Sequence, residues 1–364
     1  MKVLIVTPRL DTHSGWGRYS LNVVEEYRRR GVCFSVVTRG STELCPEQFP
    51  VLHDLSAINF LRNILTVRKH ARSCDVVHAM DGWPYALYAY GAVLGTRKKL
   101  FINAVGTYSF PGHSKLKKRL MSAAYKRAQR ILAISRYVAE RIEEIFGFGF
   151  KTEVVHLGTT LLPALSAAEE SFFKTKFAVA GSPVFITVGA IKSRKGQKDS
   201  LDALILLKDV YPNFTYLVVG SDEDTAYVEM IKTRAEQAGV RENLSIISDA
   251  HDDKALSYLY QKSDVALLNS RNDRHHFEGF GLVFLEGYQF GIPGVGSRGC
   301  GIEDAIEDGV TGCLAEQKNP KDISDKILKT LEHKKDFGEN ARDFAKEFSW
   351  GKTAERYISL YQKG

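Results

Sequence analysis

The sequence contains no long hydrophobic run. Its longest charge-free apolar stretch, Trp83 to Gly95, is followed closely by Arg97, Lys98 and Lys99. It falls short of the roughly 20 apolar residues that a membrane-spanning helix needs. The amino-terminal run MKVLIVTPRL breaks at Pro8 and Arg9, without the apolar core and small-residue cleavage site of a signal peptide, so the expected location is cytoplasmic. Cysteine is scarce as well. Cys33, Cys45, Cys74, Cys300 and Cys313 show no CxxC or metal-type spacing, which argues against a disulfide framework and structural zinc. The composition, 44% hydrophobic and 26% charged over 364 residues, is that of an ordinary globular chain long enough for two domains.

Acidic residues are missing from one long segment. His113 to Arg130 carries Lys115, Lys117, Lys118, Arg119, Lys126, Arg127 and Arg130 and no Asp or Glu. Leu116, Leu120 and Ala123 or Ala124 recur within it at helical spacing, so the segment reads as a basic amphipathic helix. The asymmetry extends further: residues 1–160 hold 24 Lys and Arg against 12 Asp and Glu, whereas residues 161–364 hold 26 against 31. Such a helix is either a solvated face or a surface attracted to an anionic membrane or a phosphate-bearing substrate. Nucleic acid is not expected as a partner, because no stacking platform or reader motif accompanies the charge.

What the sequence does have is a steady alternation of short β-branched runs with longer helical patterns, the mark of parallel sheets with crossover helices. Strands are expected at 3–6, 33–37, 75–79, 99–105, 131–134 and 153–157, with helices near 17–30, 56–71, 83–94, 113–128 and 135–146. The alternation restarts with strands at 184–190, 214–220, 244–248, 264–269 and 292–296. Helices follow near 197–210, 223–238, 251–261, 282–291, 302–306 and 320–332. The expected fold class is α/β, two Rossmann-like doubly wound domains facing a central cleft, over 1–160 and 161–348. Gly158 to Gly181 would be the connection. Ligands of such sheets bind outside the carboxyl ends of the strands.

Three segments carry candidate chemistry. Ser14-Gly15-Trp16-Gly17 lies between the first strand and a helix, where glycines let backbone amides approach an anion or simply make a tight turn. Lys192-Ser193-Arg194-Lys195-Gly196 follows the strand at 184–190, placing cations where a diphosphate leaving group would need neutralisation. Glu278-Gly-Phe280-Gly281-Leu282-Val-Phe-Leu-Glu286 sets two carboxylates eight residues apart around a Gly-rich turn that opens a helix. Amides of Phe280, Gly281 and Leu282 suit a phosphate there, and a carboxylate one turn deeper suits a pair of sugar hydroxyls.

The E-x7-E element EGFGLVFLE, preceded by SDVALLNS and followed by YQFGIPGVGSRGCGIEDAIEDGVTG, resembles the signature of retaining nucleotide-sugar glycosyltransferases of family 4, which have the GT-B fold. SGWGRYSLNV, DVVHAMDGWP, ILAISRYVAERI, VVHLG, VGAIKSRKGQKDSLDAL and FSWGKTAERYISLY extend the resemblance over most of the chain. It implies that Glu286 binds the ribose and Glu278 the donor sugar. It further implies that Arg194, Lys195 and the backbone of Phe280 to Leu282 hold the diphosphate, while Gly15 and Gly17 belong to a loop over the donor phosphates. The last helix, about 349–364, would cross back onto the first domain. Catalysis would need no bound metal and no cofactor beyond the nucleotide-sugar co-substrate, UDP- or GDP-linked. The acceptor would be a glycan, glycolipid or other hydroxyl, with residues 113–130 meeting an anionic membrane surface.

The sequence departs from the family pattern at two places. Ala190 stands where the family has an arginine, with Arg194 as the substitute, and Val105-Gly106-Thr107-Tyr108 stands where a His is usual. Thr107 or Tyr108 would take over that contact, and His78 is either an acceptor-site group or a hydrogen-bonded core residue. A nucleotide-sugar epimerase or hydrolase, and a non-catalytic adaptor, are the alternative readings. Gly294-Val-Gly296-Ser-Arg-Gly299 fits G-x-G-x-x-G but lacks a dinucleotide-binding context. His275-His276 lacks the further ligands of a metal site, and Asp222, Glu223 and Asp224 read as a helix amino-terminal charge cluster.

Overall fold

The computed structural model describes residues 1–12, 15–110, 112, 114–250, 252–273 and 276–363. Ser14, His113 and His275, each part of a segment named above, lie outside the described residues. The chain divides into two compact units, Met1–Gly158 together with the C-terminal segment from Ser349, and Thr159–Phe348.

In the first unit, β1 (Lys2–Val6), β2 (Cys33–Val37), β3 (Gln48–Phe49), β4 (Val76–Ala79), β5 (Lys99–Ala104), β6 (Arg130–Ala133) and β7 (Thr152–Val154) form a parallel sheet. Its order is β3-β2-β1-β4-β5-β6-β7. Val3, Leu4, Ile5, Val76, Val77, Leu100 and Phe101 are all buried, as continuous apolar strands covered on both faces must be. The connecting helices are α1 (Gly15–Arg29), α2 (Ala57–Ala71), α3 (Tyr85–Val93), α4 (Lys115–Arg127) and α5 (Arg136–Phe146). The strand order reverses direction between β1 and β4. Right-handed crossovers therefore place α2, α3, α4 and α5 on the opposite side of the sheet from α1. The C-terminal helix, Trp350–Lys363, packs on α1.

The second unit repeats the plan. Strands β8 (Val184–Val188), β9 (Thr215–Val219), β10 (Leu244–Ile247), β11 (Val265–Leu268), β12 (Gly294–Ser297) and β13 (Gly312–Ala315) form a parallel sheet in the order β10-β9-β8-β11-β12-β13. Helices α6 (Ala167–Phe177), α7 (Gln197–Ile205), α8 (Thr225–Gln237), α9 (Asp253–Gln261), α10 (Leu282–Tyr288), α11 (Pro320–Glu332) and α12 (Lys334–Ala345) surround it. Phe185, Leu201, Leu204, Tyr216, Ile231, Val265, Leu267 and Ile323 belong to its core. Here the order reverses between β8 and β11.

Several expectations need correction. The connection expected at Gly158 to Gly181 contains α6, whose start is fixed by a reciprocal Ser166–Glu169 capping box. The strand expected to reach residue 157 ends at Val154, and the helix expected to reach 210 ends at Ile205. The helix expected at 302–306 is a single 3-10 turn, Gly301–Asp304. In α4 the buried stripe is Met121, Ala124 and Tyr125, whereas Leu116, read as part of the apolar stripe, is exposed. The glycines of the G-x-G-x-x-G match serve packing: a Cβ on Gly294 would lie 2.5 Å from the Phe284 ring, and one on Gly296 2.5 Å from Ile302.

Candidate functional site

At the reversal point of the second sheet, the loops leaving β8 and β11 come together. After β8 the chain makes a 3-10 turn, Ser193–Lys195, and enters α7 through Gly196, whose φ is +71°. A Cβ at Gly196 would lie 1.8 Å from the Asn269 carbonyl oxygen at the exit of β11. Only glycine allows that approach. The backbone amide of Arg271 then donates to the Arg194 carbonyl at 2.8 Å, tying the two loops.

That juxtaposition gathers three donors on one carboxylate oxygen. Lys195 Nζ donates to Glu278 Oε2 at 2.7 Å, Arg194 Nη1 at 3.2 Å and Ser270 Oγ at 3.4 Å. Burial pushes the Glu278 carboxyl up, but the Lys195 and Arg194 charges outweigh it and hold it at about 2. Lys192 is drawn below the usual lysine range by burial, then by its neighbours Arg194 and Lys195. Lys195 and Arg194 contact this carboxylate, and Lys192 nearby feels both Glu278 and Glu223, so three cations against two carboxylates leave an excess of positive charge suited to an anion.

The Glu278 backbone is braced too. Gly301 donates from its amide to the Glu278 carbonyl at 2.9 Å, and a Cβ on Gly301 would lie 1.9 Å from the Gly279 carbonyl oxygen. Phe280 is buried, with its ring 5.7 Å from Phe348, so this residue can face a ligand only through its backbone. Gly281, at φ +94°, turns the chain into α10 with Leu282 as its first residue. Glu286 lies on α10, and the hydroxyl of the buried Tyr260 on α9 is 3.1 Å from Glu286 Oε2. Burial and the nearby Glu286 charge raise that hydroxyl well above the usual tyrosine range, so it stays protonated, its one proton lying between Glu286 Oε2 and the Val283 carbonyl, both at 3.1 Å.

The other predicted residues belong to the first unit. Gly15 and Gly17 sit in the first turn of α1 rather than in a loop before it. A Cβ on Gly15 would meet nothing, whereas one on Gly17 would lie 2.4 Å from the Asp11 carboxylate. Thr107 and Tyr108 form a 3-10 turn after β5, and Tyr108, half exposed, lies 5.0 Å from the Trp16 ring. Of its two readings, His78 fits the hydrogen-bonded core residue and not the acceptor-site group. It is wholly buried, with Nδ1 paired to the Tyr361 hydroxyl and Nε2 to Asn103 Oδ1, leaving no ring nitrogen for an acceptor. Asp224 caps α8 through the Tyr227 amide. His276 exchanges backbone hydrogen bonds with Asp273. Among the described residues, no group of three His, Cys, Asp or Glu side chains is placed to hold a metal ion.

Sequence reasoning did not single out Ser270, Asn269 or Tyr260. Ser270 and Asn269 stand inside the quoted SDVALLNS, at the carboxyl end of β11, which is the local signal that could have found them. Tyr260 has no local signal. The Asp199–Arg271 ion pair beside the cluster, with Asp199 buried, was equally invisible.

The comparisons agree with this architecture. The family described as Glycosyltransferase Family 4 matches residues 13–161, and that described as Glycosyl transferases group 1 matches residues 168–346. The uncharacterized glycosyltransferase MJ1178 of Methanocaldococcus jannaschii is 23% identical over the whole chain and 98% of its own length. The D-inositol 3-phosphate glycosyltransferase of Corynebacterium glutamicum is 28% identical over 48% of this chain and 42% of its own. Among solved structures, the Anabaena protein Alr3699/HepE in complex with UDP superposes with a TM-score of 0.83 at 18% identity, over the full length of both chains. The same protein has also been solved with UDP-glucose. Two parallel Rossmann-like units, both family matches and the GT-B neighbours lead to one assignment: this chain is a glycosyltransferase of family 4 with the GT-B fold.

Proposed function

We propose that the protein transfers a sugar from a nucleotide-diphosphate sugar, UDP- or GDP-linked, to an acceptor hydroxyl with retention of anomeric configuration. The observation that carries this reading is the clustering of cations at the reversal point of the second sheet, where Arg194 and Lys195 both contact Glu278 and Lys192 lies close to them. Uridine is the first base to try, because UDP and UDP-glucose occupy the Anabaena neighbour.

In this mechanism Arg194 and Lys195 neutralise the diphosphate as the glycosidic bond lengthens and charge develops on the leaving oxygen. These side chains supply positive charge that a divalent ion provides in other transferases, so a metal-independent reaction is proposed. Glu278 contacts the donor sugar, and Glu286, beside the Tyr260 hydroxyl, accepts from the ribose hydroxyls. The backbone of Phe280, Gly281 and Leu282 contacts the diphosphate. No protein nucleophile is assigned. The acceptor attacks from the face the diphosphate leaves, and a leaving phosphate oxygen takes its proton. Gly15, Gly17, Thr107 and Tyr108 are proposed contacts from the first unit. A cytoplasmic role in assembling a cell-surface glycan or glycolipid fits an anionic acceptor drawn to the basic residues 1–160.

Donor consumption with and without acceptor tests this reading, with the anomeric configuration of the product read by NMR. Acceptor-dependent transfer with a retained configuration is expected. Donor turnover without an acceptor would point to a hydrolase or epimerase, and an inverted product would overturn retention.

A further inference from the structure

The helices on one side of the first sheet present an unusual outer surface. Along α2, Ile58, Leu61 and Leu65 are 80%, 65% and 67% exposed. Their spacing of three and four residues puts them in one row along the helix. Arg62 and Lys69 are exposed on the same face, and Arg72 continues it just past the helix end. Three large aliphatic side chains in a row are more than the scattered exposed apolar residues a soluble surface tolerates.

The neighbouring helices extend the face. α2 packs on α3 and α3 on α4. At one end of the layer, Phe60 of α2 stacks on Trp83 at 5.7 Å, and Lys117 Nζ of α4 lies 4.8 Å over the same ring. On α4, Lys115, Lys118, Arg119 and Lys126 are exposed, and Leu116 is 67% exposed beside them. No Asp or Glu occurs from Leu55 to Cys74 or from Gly82 to Ala139. Asp54, which borders the α2 row, is paired with Arg39 at 3.2 Å.

We infer that the outer face of α2 and α4 docks on an anionic lipid bilayer. The row Ile58, Leu61 and Leu65 enters the headgroup layer, and the flanking lysines and arginines meet lipid phosphates. An aliphatic row edged by cations, whose bordering acid Asp54 is already paired with Arg39, is the pattern of a helix lying in the interface. A second copy of the chain would set one positive face against another, and a nucleic acid would leave the aliphatic row in water. This inference goes beyond the donor chemistry and does not depend on it.

Co-sedimentation of the full chain with phosphatidylcholine vesicles, with and without a one-quarter share of phosphatidylglycerol, tests the inference. The wild type should bind the phosphatidylglycerol vesicles at low salt, bind them less at high salt, and leave pure phosphatidylcholine unbound. The combined Ile58→Ser, Leu61→Ser and Leu65→Ser variant should lose on the order of tenfold or more in partitioning. The Lys118→Glu and Arg119→Glu pair should lose at least about fivefold per reversed charge. All of these substitutions are at exposed positions, so unchanged melting temperature and unchanged UDP binding serve as controls. Wild type that ignores phosphatidylglycerol, or a serine variant that binds as well as wild type, overturns the inference while leaving the nucleotide reading untouched. Equal binding to neutral vesicles overturns the charge assignment.

Discussion

Lys195 and Arg194 both donate to the same oxygen of Glu278, at 2.7 and 3.2 Å, although 83 and 84 residues separate them from it in the chain. In the proposed reaction these two cations must also serve the diphosphate. Glu278 and the donor phosphates therefore compete for one pair of positive groups. Replacing Glu278 by Gln removes the competing charge, and calorimetry should find nucleotide diphosphate binding tightened by about fivefold or more. Sugar transfer by the same variant should fall. Weaker nucleotide binding by Glu278→Gln would contradict the competition.

Alanine at Lys195 or Arg194 should lower kcat/KM for donor by about 100-fold each, the usual loss when one preorganised charge is taken from a developing anion. Steady-state kinetics under saturating acceptor measures it. A change confined to KM would move these side chains from transition-state to ground-state binding.

The pH dependence of stability has a definite sign at Glu278. Its carboxyl is held at about 2 in the folded chain against an ordinary glutamate value of 4.5. The ionised form is thus favoured by folding, and its contribution is full above pH 4.5 and drains away as pH falls toward 2. Urea midpoints between those pH values should fall more steeply for wild type than for Glu278→Gln. Asp81 has the opposite sign. Burial raises it from 3.8 to about 7, against the opposing Gly82 amide, so stability is full below pH 3.8 and declines as pH rises to about 7. Asp81→Asn keeps an acceptor for that amide and should remove this decline, gaining on wild type at neutral pH.

Glycine replacements should split sharply. Gly196→Ala forces a Cβ against the Asn269 carbonyl at a positive φ and should cost about 3 kcal/mol or more. Gly15→Ala enters open space and should stay within about 0.5 kcal/mol. Urea unfolding of the two variants measures both. Equal effects would mean that the two loops do not approach as described.

Tyr361→Phe should cost about 1–2 kcal/mol by orphaning buried polar groups, since its hydroxyl serves both His78 and Tyr27. Chemical denaturation measures the loss. Nucleotide binding should be unchanged, because neither partner of that hydroxyl, Tyr27 or His78, is among the proposed donor contacts.

The fold was legible in the sequence where periodicity was strong and local. The strands KVLIV and TYLVV, and the helix that follows EGFG, stand out because period and glycine signals agree with the final structure. β3 was missed because a two-residue strand has no period. α6 was passed over because its apolar pattern is weak, with Phe173 its buried residue, although Ser166 and Glu169 spell a capping box. Leu116 misled for a different reason. Helical spacing marks a face, but only tertiary packing decides that Met121 and Tyr125, not Leu116, turn inward. The segments of the candidate site were each visible, whereas their convergence was not. Nothing near Glu286 announces Tyr260, 26 residues away, and nothing local distinguishes a His78 in contact with substrate from one fastened to Tyr361 across 283 residues.

The most direct test of the account is calorimetric titration of UDP, GDP, ADP, dTDP and CMP into wild type and Glu286→Ala. One nucleoside diphosphate should bind selectively to wild type, with the affinity lost in the variant. Binding of none of them, or binding that Glu286→Ala leaves intact, would contradict a donor site at Arg194, Lys195 and Glu286.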